Sequence, residues 1–302
     1  MYNVGITGSS GFVGTNLINY LKSFKFRLTP ISRTQLKDIE NFQLDCDVIV
    51  HLAGKAHDLK KTANPDEYYQ VNFEHTKRLY DRFLRSDAKK FIFISSVKAA
   101  ADVVDGVLTE ERESNPLTHY GKSKLMAEDY IRSQILPEGK SYYILRPCMI
   151  HGPGNKGNLN LLYNVVKKGI PYPLAAFHNQ RSFLSIANLN YIIEQLISKP
   201  DIPGGVYNIA DDEALSTNHV IRIINEAIGR KSRLWRVNKK LLTGIATIGD
   251  YLHLPLNSER LKKLTESYVV SNDKIKQALK LVALPVSSSE GLIITAKSFE
   301  SP

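Results

Sequence analysis

A chain of 302 residues with 40 Lys and Arg against 30 Asp and Glu carries a formal net charge of +10, and its 43% hydrophobic content is ordinary for a globular protein. No apolar run reaches the length of a membrane span, and the N-terminus enters a strand pattern without a charged leader. Only two cysteines occur, Cys46 and Cys148, each beside an apolar run, which argues against a disulfide scaffold and for a reducing, cytoplasmic setting.

The first 150 residues alternate short apolar runs with helical patterns. YNVGIT (2–7) reads as a strand and VGTNLINYLKSF (13–24) as an amphipathic helix. RLTPIS (27–32) is a second strand, and DVIVHLAG (47–54) has the β-branched character of a strand buried on both faces. A long helix over 66–86 and a buried strand KFIFISS (90–96) come next. The helix containing THYGKSKLMAEDYI (118–131) and the strand SYYILRP (141–147) complete this half. Such alternation predicts an α/β fold, a Rossmann-like, doubly wound parallel sheet with ligands at the carboxyl ends of its strands.

After residue 151 the rhythm changes. A Gly- and Asn-rich loop (151–158), a helix, a Pro-rich turn, one strand-and-helix unit (RSFLSIANLNYIIEQLIS) and a short strand (GGVYNIAD) precede about a hundred mainly helical residues. The expected division is a dinucleotide-binding domain over 1–151, with 181–199 packing onto it, and a smaller substrate-binding lobe over 152–302.

ITGSSGFVGTNL places Gly8, Gly11 and Gly14 between the first strand and the first helix. The three glycines suit a tight turn, close approach to a pyrophosphate, and close packing of helix on strand. Ser10, Phe12 and Val13 lie between them, where the helix N-terminus offers its N–H groups to phosphate. The acid usually found at the end of the second strand, which binds a ribose 2′-hydroxyl, is absent. That strand ends in Ser32-Arg33, and the first acid is Asp38. Arg33 can pair with a 2′-phosphate, so NADP is favoured over NAD. With Asp38 it forms the candidate adenosine end of the site. So few residues intervene that the usual helix between the second and third strands is expected to be missing.

Eight histidines without ligand spacing predict no metal site. The densest basic run, GRKSRLWRVNKK (229–240), holds six cations but no nucleic-acid-binding signature. The excess charge is read as suiting small anions such as nucleotide diphosphates, with no nucleic-acid partner.

Tyr120 and Lys124 stand one helical turn apart, so their side chains point the same way. The glycine turn, HLAG, ISS and YGKSK occur in order, followed by LRPCMIHGPG, NQRSFLSIANL and VVSNDKIKQALKL. Together they resemble the extended short-chain dehydrogenase/reductase family, in its nucleotide-sugar epimerase, dehydratase and reductase branch. HLAGKAHD and SSVK bring the chain nearest to enzymes acting at C4 of UDP-hexosamines in surface-polysaccharide biosynthesis.

The resemblance implies catalytic roles for Ser96, Tyr120 and Lys124, with Lys124 lowering the Tyr120 pKa and holding the nicotinamide ribose. It implies cofactor contacts at Leu52, Ala53, Gly54 and Pro147, and substrate contacts at Lys98, Asn158, Arg181 and Arg260. Asn72 matches an Asn that ties a helix to the strand ends. The Asp-Glu pair of the dehydratases is replaced by Val97 and Lys98, which argues against elimination of water. His151 replaces a family tyrosine and is read as a packing substitute, and Cys148 is given no chemistry. The expected function is an NAD(P)-dependent oxidoreductase acting at C4 of a UDP-sugar, as a 4-ketoreductase using NADPH. The alternatives are a UDP-glucose or UDP-N-acetylglucosamine 4-epimerase with tightly bound NAD, and a non-catalytic nucleotide sensor. A homodimer, common among relatives, is also implied.

Overall fold

The computed structural model describes residues 2–39, 41–55, 64–155, 157–252 and 257–300. Six parallel strands form the central sheet in the order β2-β1-β3-β4-β6-β9. They are β1 (Tyr2–Thr7), β2 (Phe26–Ile31), β3 (Val48–His51), β4 (Lys90–Ile94), β6 (Ser141–Pro147) and β9 (Gly205–Ile209). Two short pairs lie outside it, β5 (Val107–Leu108) with β10 (Val269–Val270) and β7 (Met149–His151) with β8 (Phe183–Ser185). The order reverses beside β1, so the carboxyl ends of β1 and β3 meet where the glycine turn begins.

Burial on both faces explains why the central strands contain few polar residues. β3 and β4 are buried throughout. One face packs Leu17 and Leu21 of α1 (Phe12–Leu21) and Leu189, Ile193 and Leu196 of α7 (Ile186–Ser198) into a single cluster with Val4, Val50 and Ile92. The other face joins Ile49, Phe91 and Phe93 to Leu79, Tyr80 and Phe83 of α4 (His75–Arg85). A third cluster lies between α6 (Asn158–Lys167), α8 (Thr217–Ala227), α9 (Lys239–Leu252) and α12 (Ser288–Ser298).

The connection after β2 departs from the sequence expectation. It contains a one-turn helix, α2 (Arg33–Lys37), where no helix was expected. Ser32 accepts a hydrogen bond from the Gln35 N–H while the Gln35 side chain reaches back to the Ser32 N–H at 2.8 Å, a complete capping box. The long helix of 66–86 is α3 (Pro65–Tyr69) and α4, joined without a break by one π-helical turn over Gln70–Glu74. Such turns re-aim side chains within a helix, and this one contains Asn72. The remaining helices are α5 (His119–Ser133), α10 (Ser258–Thr265) and α11 (Asp273–Leu279). Beyond residue 151 the chain therefore contributes both β9 at the sheet edge and α7 on its face.

Candidate active site

The glycine turn is shaped by close backbone contacts. Gly8 has φ +67°, and a Cβ on it would lie 2.7 Å from the Ala53 nitrogen. A Cβ on Gly14 would lie 2.2 Å from the Gly8 carbonyl oxygen, so only glycine lets α1 start this close to the turn. No side chain caps α1 and no acid lies in its first turn, which leaves its N-terminus suited to an anion. Ser10 and Gly11 are exposed there, while Phe12 and Val13 pack on the core. Leu52, Ala53 and Gly54 leave β3 directly beneath the turn, and Pro147 ends β6 against Ile209. This cradle fits the diphosphate of a dinucleotide.

Arg33 begins α2 just past the end of β2, which pairs with β1 up to Thr7. Burial, and then the nearby charges of Arg78, Lys37 and Arg33, hold the His75 imidazole below its ordinary value. Three cations thus act on this one imidazole. Asp38 caps the far end of α2 and accepts from the Asn41 side chain at 2.7 Å.

Ser96, Tyr120 and Lys124 converge. Tyr120 lies in the first turn of α5, which Thr118 caps by accepting from the Gly121 N–H at 3.2 Å. A Cβ on Gly121 would lie 2.3 Å from the Lys98 carbonyl oxygen, so glycine lets α5 press against the turn after β4. That approach brings the Tyr120 phenol beside the Ser96 hydroxyl, near enough to act on its pKa. Tyr68 holds the Tyr120 ring edge-on at 6.2 Å. Lys124 is buried, donates to the Ile94 carbonyl at 2.9 Å, lies over the Phe93 ring at 4.8 Å, and would touch any side chain at Gly54.

The electrostatics correct one expectation. Burial raises the Tyr120 pKa, offset in part by the Ser96 hydroxyl, instead of Lys124 lowering it. The Lys124 ammonium is turned to the Ile94 carbonyl, and its own pKa is brought down to about 8, mainly by burial.

A hydrogen-bonded chain behind the site joins Asn72, expected to tie a helix to the strand ends, to Thr7, His51 and Thr76, which were not anticipated from sequence. The Ala53 N–H donates to Thr7 Oγ1 (3.1 Å), which lies 2.7 Å from His51 Nδ1, while His51 Nε2 lies 2.9 Å from Thr76 Oγ1. Thr76 donates to the Asn72 carbonyl (2.8 Å), which leaves its oxygen to accept from His51 and places the imidazole proton on Nε2. The Asn72 side chain accepts from the Lys55 N–H (2.7 Å) and donates to Ser123 Oγ (3.1 Å), and Ser123 donates to the Tyr120 carbonyl. Asn72 therefore ties the π-helical turn to the end of β3 and to α5. The signal available in the sequence was the polar His51 inside an otherwise apolar strand.

Burial holds the His51 pKa down to about 3, against 6.5 ordinarily, so the folded protein keeps this imidazole neutral where the unfolded chain takes up a proton. Its contribution to stability is complete above pH 6.5 and is lost as pH falls toward 3. Between pH 7 and 5 that loss is about 2 kcal/mol. Urea titrations at both values should show it. His51→Gln, which takes up no proton, should flatten the dependence, and an unchanged slope in the variant would refute this origin.

A second unanticipated group is the buried pair Glu128–Arg146, joined by Nη2–Oε2 at 2.5 Å and Nε–Oε2 at 2.9 Å. Glu128 also accepts from Ser95, the neighbour of Ser96. It lies one turn beyond Lys124 on the same helix face.

The substrate-side candidates separate. Lys98 and Arg181 come near one another, as the lowering influence of Arg181 on the half-buried Lys98 ammonium shows. Lys98 donates to the Asp102 carbonyl at 2.8 Å and lies over the Tyr268 ring at 4.4 Å. Arg181 pairs with Glu266 at 3.3 Å and donates to the Lys263 carbonyl at 2.8 Å, at the end of α10. Arg260 is exposed in the first turn of α10. Asn158 opens α6, and its side chain lies outside the description, as do residues 56–58 of the HLAGKAHD stretch. His151 is fully buried, 2.8 Å from Thr295 Oγ1 and 3.6 Å from Asp211 Oδ2, where it fastens α12 to β7. Cys46 and Cys148 are buried free thiols. Among the described residues, no helix is long and apolar enough to cross a membrane.

A parallel doubly wound sheet, with a glycine turn at its switch point and Ser, Tyr and Lys gathered beside it, defines an enzyme of the extended short-chain dehydrogenase/reductase class, which works with a nicotinamide dinucleotide. The chain belongs to the NAD dependent epimerase/dehydratase family, whose profile matches residues 4–210. The UDP-glucose 4-epimerase of Vibrio cholerae is 32% identical over 250 residues, 74% of this chain and 75% of its own length. The N-acetyl-alpha-D-glucosaminyl-diphospho-ditrans,octacis-undecaprenol 4-epimerase of Escherichia coli O157:H7 is 27% identical over 293 residues, 91% of this chain and 85% of its own. The UDP-N-acetylglucosamine 4-epimerase of Bacillus cereus superposes with a TM-score of 0.76 at 20% identity over 100% of both chains. RMD of Pseudomonas aeruginosa, complexed with NADPH, gives 0.75 at 18% identity over 100% of both. At these identities the two structures speak for the fold alone.

Proposed function

We propose that the enzyme inverts C4 of a nucleotide-diphosphate sugar in glycan biosynthesis, by oxidising the C4 hydroxyl to a ketone and reducing it from the other face. The observation that carries this reading is the gathering of Ser96 and Tyr120 beside the buried Lys124. The two 4-epimerase relatives support inversion as the outcome. A nicotinamide dinucleotide held at Gly8, Gly11 and Gly14 would supply the hydride acceptor and donor for C4. Tyr120 takes the C4 hydroxyl proton as the carbonyl forms and gives it back on reduction. Ser96 holds the C4 oxygen against Tyr120. Lys124, beside Gly54, holds the ribose hydroxyls and keeps a positive charge near the phenol. Lys98 and Arg181 provide cations for the substrate diphosphate. The test is to supply UDP-glucose and UDP-N-acetylglucosamine and follow 340 nm absorbance with product composition. Epimers at equilibrium without net absorbance change support the proposal, and inertness toward both sugars counts against it.

One observation favours a second reading, a 4-ketoreductase using NADPH. Arg33 opens α2 directly after β2, where a 2′-phosphate would sit and where no acid precedes Asp38. Arg33→Ala should weaken NADPH by about 1.5 to 3 kcal/mol and leave NADH nearly unchanged, as titration of each cofactor would show. Equal affinities in the unaltered enzyme would remove this reading.

A further inference from the structure

The basic run 229–240 plays no part in the chemistry above. It contains Arg230, Lys231, Arg233, Arg236, Lys239 and Lys240, and no acid. Its backbone pairs with the turn before β8, with the Tyr172 N–H donating to the Arg233 carbonyl at 2.9 Å and the Trp235 N–H to the Tyr172 carbonyl at 2.9 Å. Leu234 and Val237 pack inward on the third cluster. Arg233, Trp235 and Arg236 are left facing outward, with Trp235 59% exposed. Beside the run opens a groove of about 430 Å³, rimmed by Lys168, Arg230, Lys231 and Arg233 over a floor that includes Tyr172 and Ile221.

The run leads into α9, whose two apolar faces differ. Leu242, Ala246 and Gly249 are buried. Leu241, Ile245, Ile248 and Leu252 recur at helical spacing and are 57%, 41%, 56% and 65% exposed, with Tyr251 at 81%. An exposed stripe of four aliphatic side chains exceeds what a solvated helix needs. On its other side α9 packs α10, whose carbonyl end holds Arg181, so the surface is one helix removed from the substrate side of the cleft.

We propose that the second lobe docks on an anionic lipid bilayer, with the α9 stripe and Trp235 entering the headgroup region and the run 229–240 pairing with lipid phosphates. Charge complementarity selects this occupant. Six cations without an acid, directly beside an aliphatic stripe and next to an aromatic side chain, match the chemistry of an interfacial helix on acidic lipids. A second copy of the chain would bring the same cations against one another.

Trp235 is the only tryptophan of the protein, so its emission reports on this surface directly. The full chain is titrated with vesicles of phosphatidylcholine alone and of phosphatidylcholine with phosphatidylglycerol, at low and high salt. The expected result is a blue shift and co-flotation with the anionic vesicles, at least about tenfold tighter than with neutral ones and weakened by salt. The variant Ile245→Glu/Ile248→Glu alters exposed positions only. It should keep the thermal midpoint and dinucleotide binding of the parent and lose the vesicles. An unshifted Trp235 emission, equal binding to both vesicles, or full binding by the variant overturns the proposal. So does conversion of a dimer to a monomer by the variant with no vesicle binding by either protein.

Discussion

Tyr120→Phe should lower turnover at least about a hundredfold, the usual scale for loss of a general acid or base. The substitution removes only the hydroxyl beside Ser96, and the ring stays against Tyr68. Dinucleotide affinity should therefore be nearly unaltered, so the loss falls on kcat. A variant with near-normal turnover would mean that another group moves the C4 proton. The same assay separates catalysis from a sensing role, since a sensor would show neither the parent rate nor the loss.

Glu128→Ala should cost about 3 to 5 kcal/mol of stability, because it leaves the buried Arg146 guanidinium without its carboxylate. That is a large share of the total stability of a typical domain. The double variant Glu128→Leu/Arg146→Met should lose much less, since it leaves no buried charge uncompensated. Urea unfolding of the three proteins checks this. A single-variant loss under about 1 kcal/mol would show that the pair is solvated in solution. Glu128 also accepts from Ser95 beside Ser96, and both variants lose that contact, so turnover per folded molecule should fall in each.

Much of the fold was legible because its signals are local. Gly8 and Gly14 mark a turn that only glycine can make, and Tyr120 and Lys124 share a face because they are one turn apart. The buried strands announce themselves as apolar runs, and β6 begins and ends where its sequence pattern does. The one-turn helix α2 was missed although its capping residues, Ser32 and Gln35, were in view, because five residues carry too little periodicity to outweigh a short connection. The addition of β9 to the sheet beyond β6 depends on pairing across some sixty residues, which no local pattern encodes. Glu128 and Arg146 lie on different elements, and only packing joins them. The acidity of Tyr120 was misread for a related reason. Helical spacing places Lys124 on its face, but it does not show that the ammonium turns to the Ile94 carbonyl.

The claim that the C4 hydrogen leaves and returns as hydride is tested most directly with a C4-deuterated sugar. UDP-glucose and UDP-N-acetylglucosamine labelled at C4 are incubated with the enzyme as purified, and the epimers are isolated. Inversion through a 4-ketone predicts that each epimer keeps its deuterium at C4 and that conversion is slowed by a primary isotope effect. Loss of the label to solvent, or inversion at full speed with the label untouched, would contradict it.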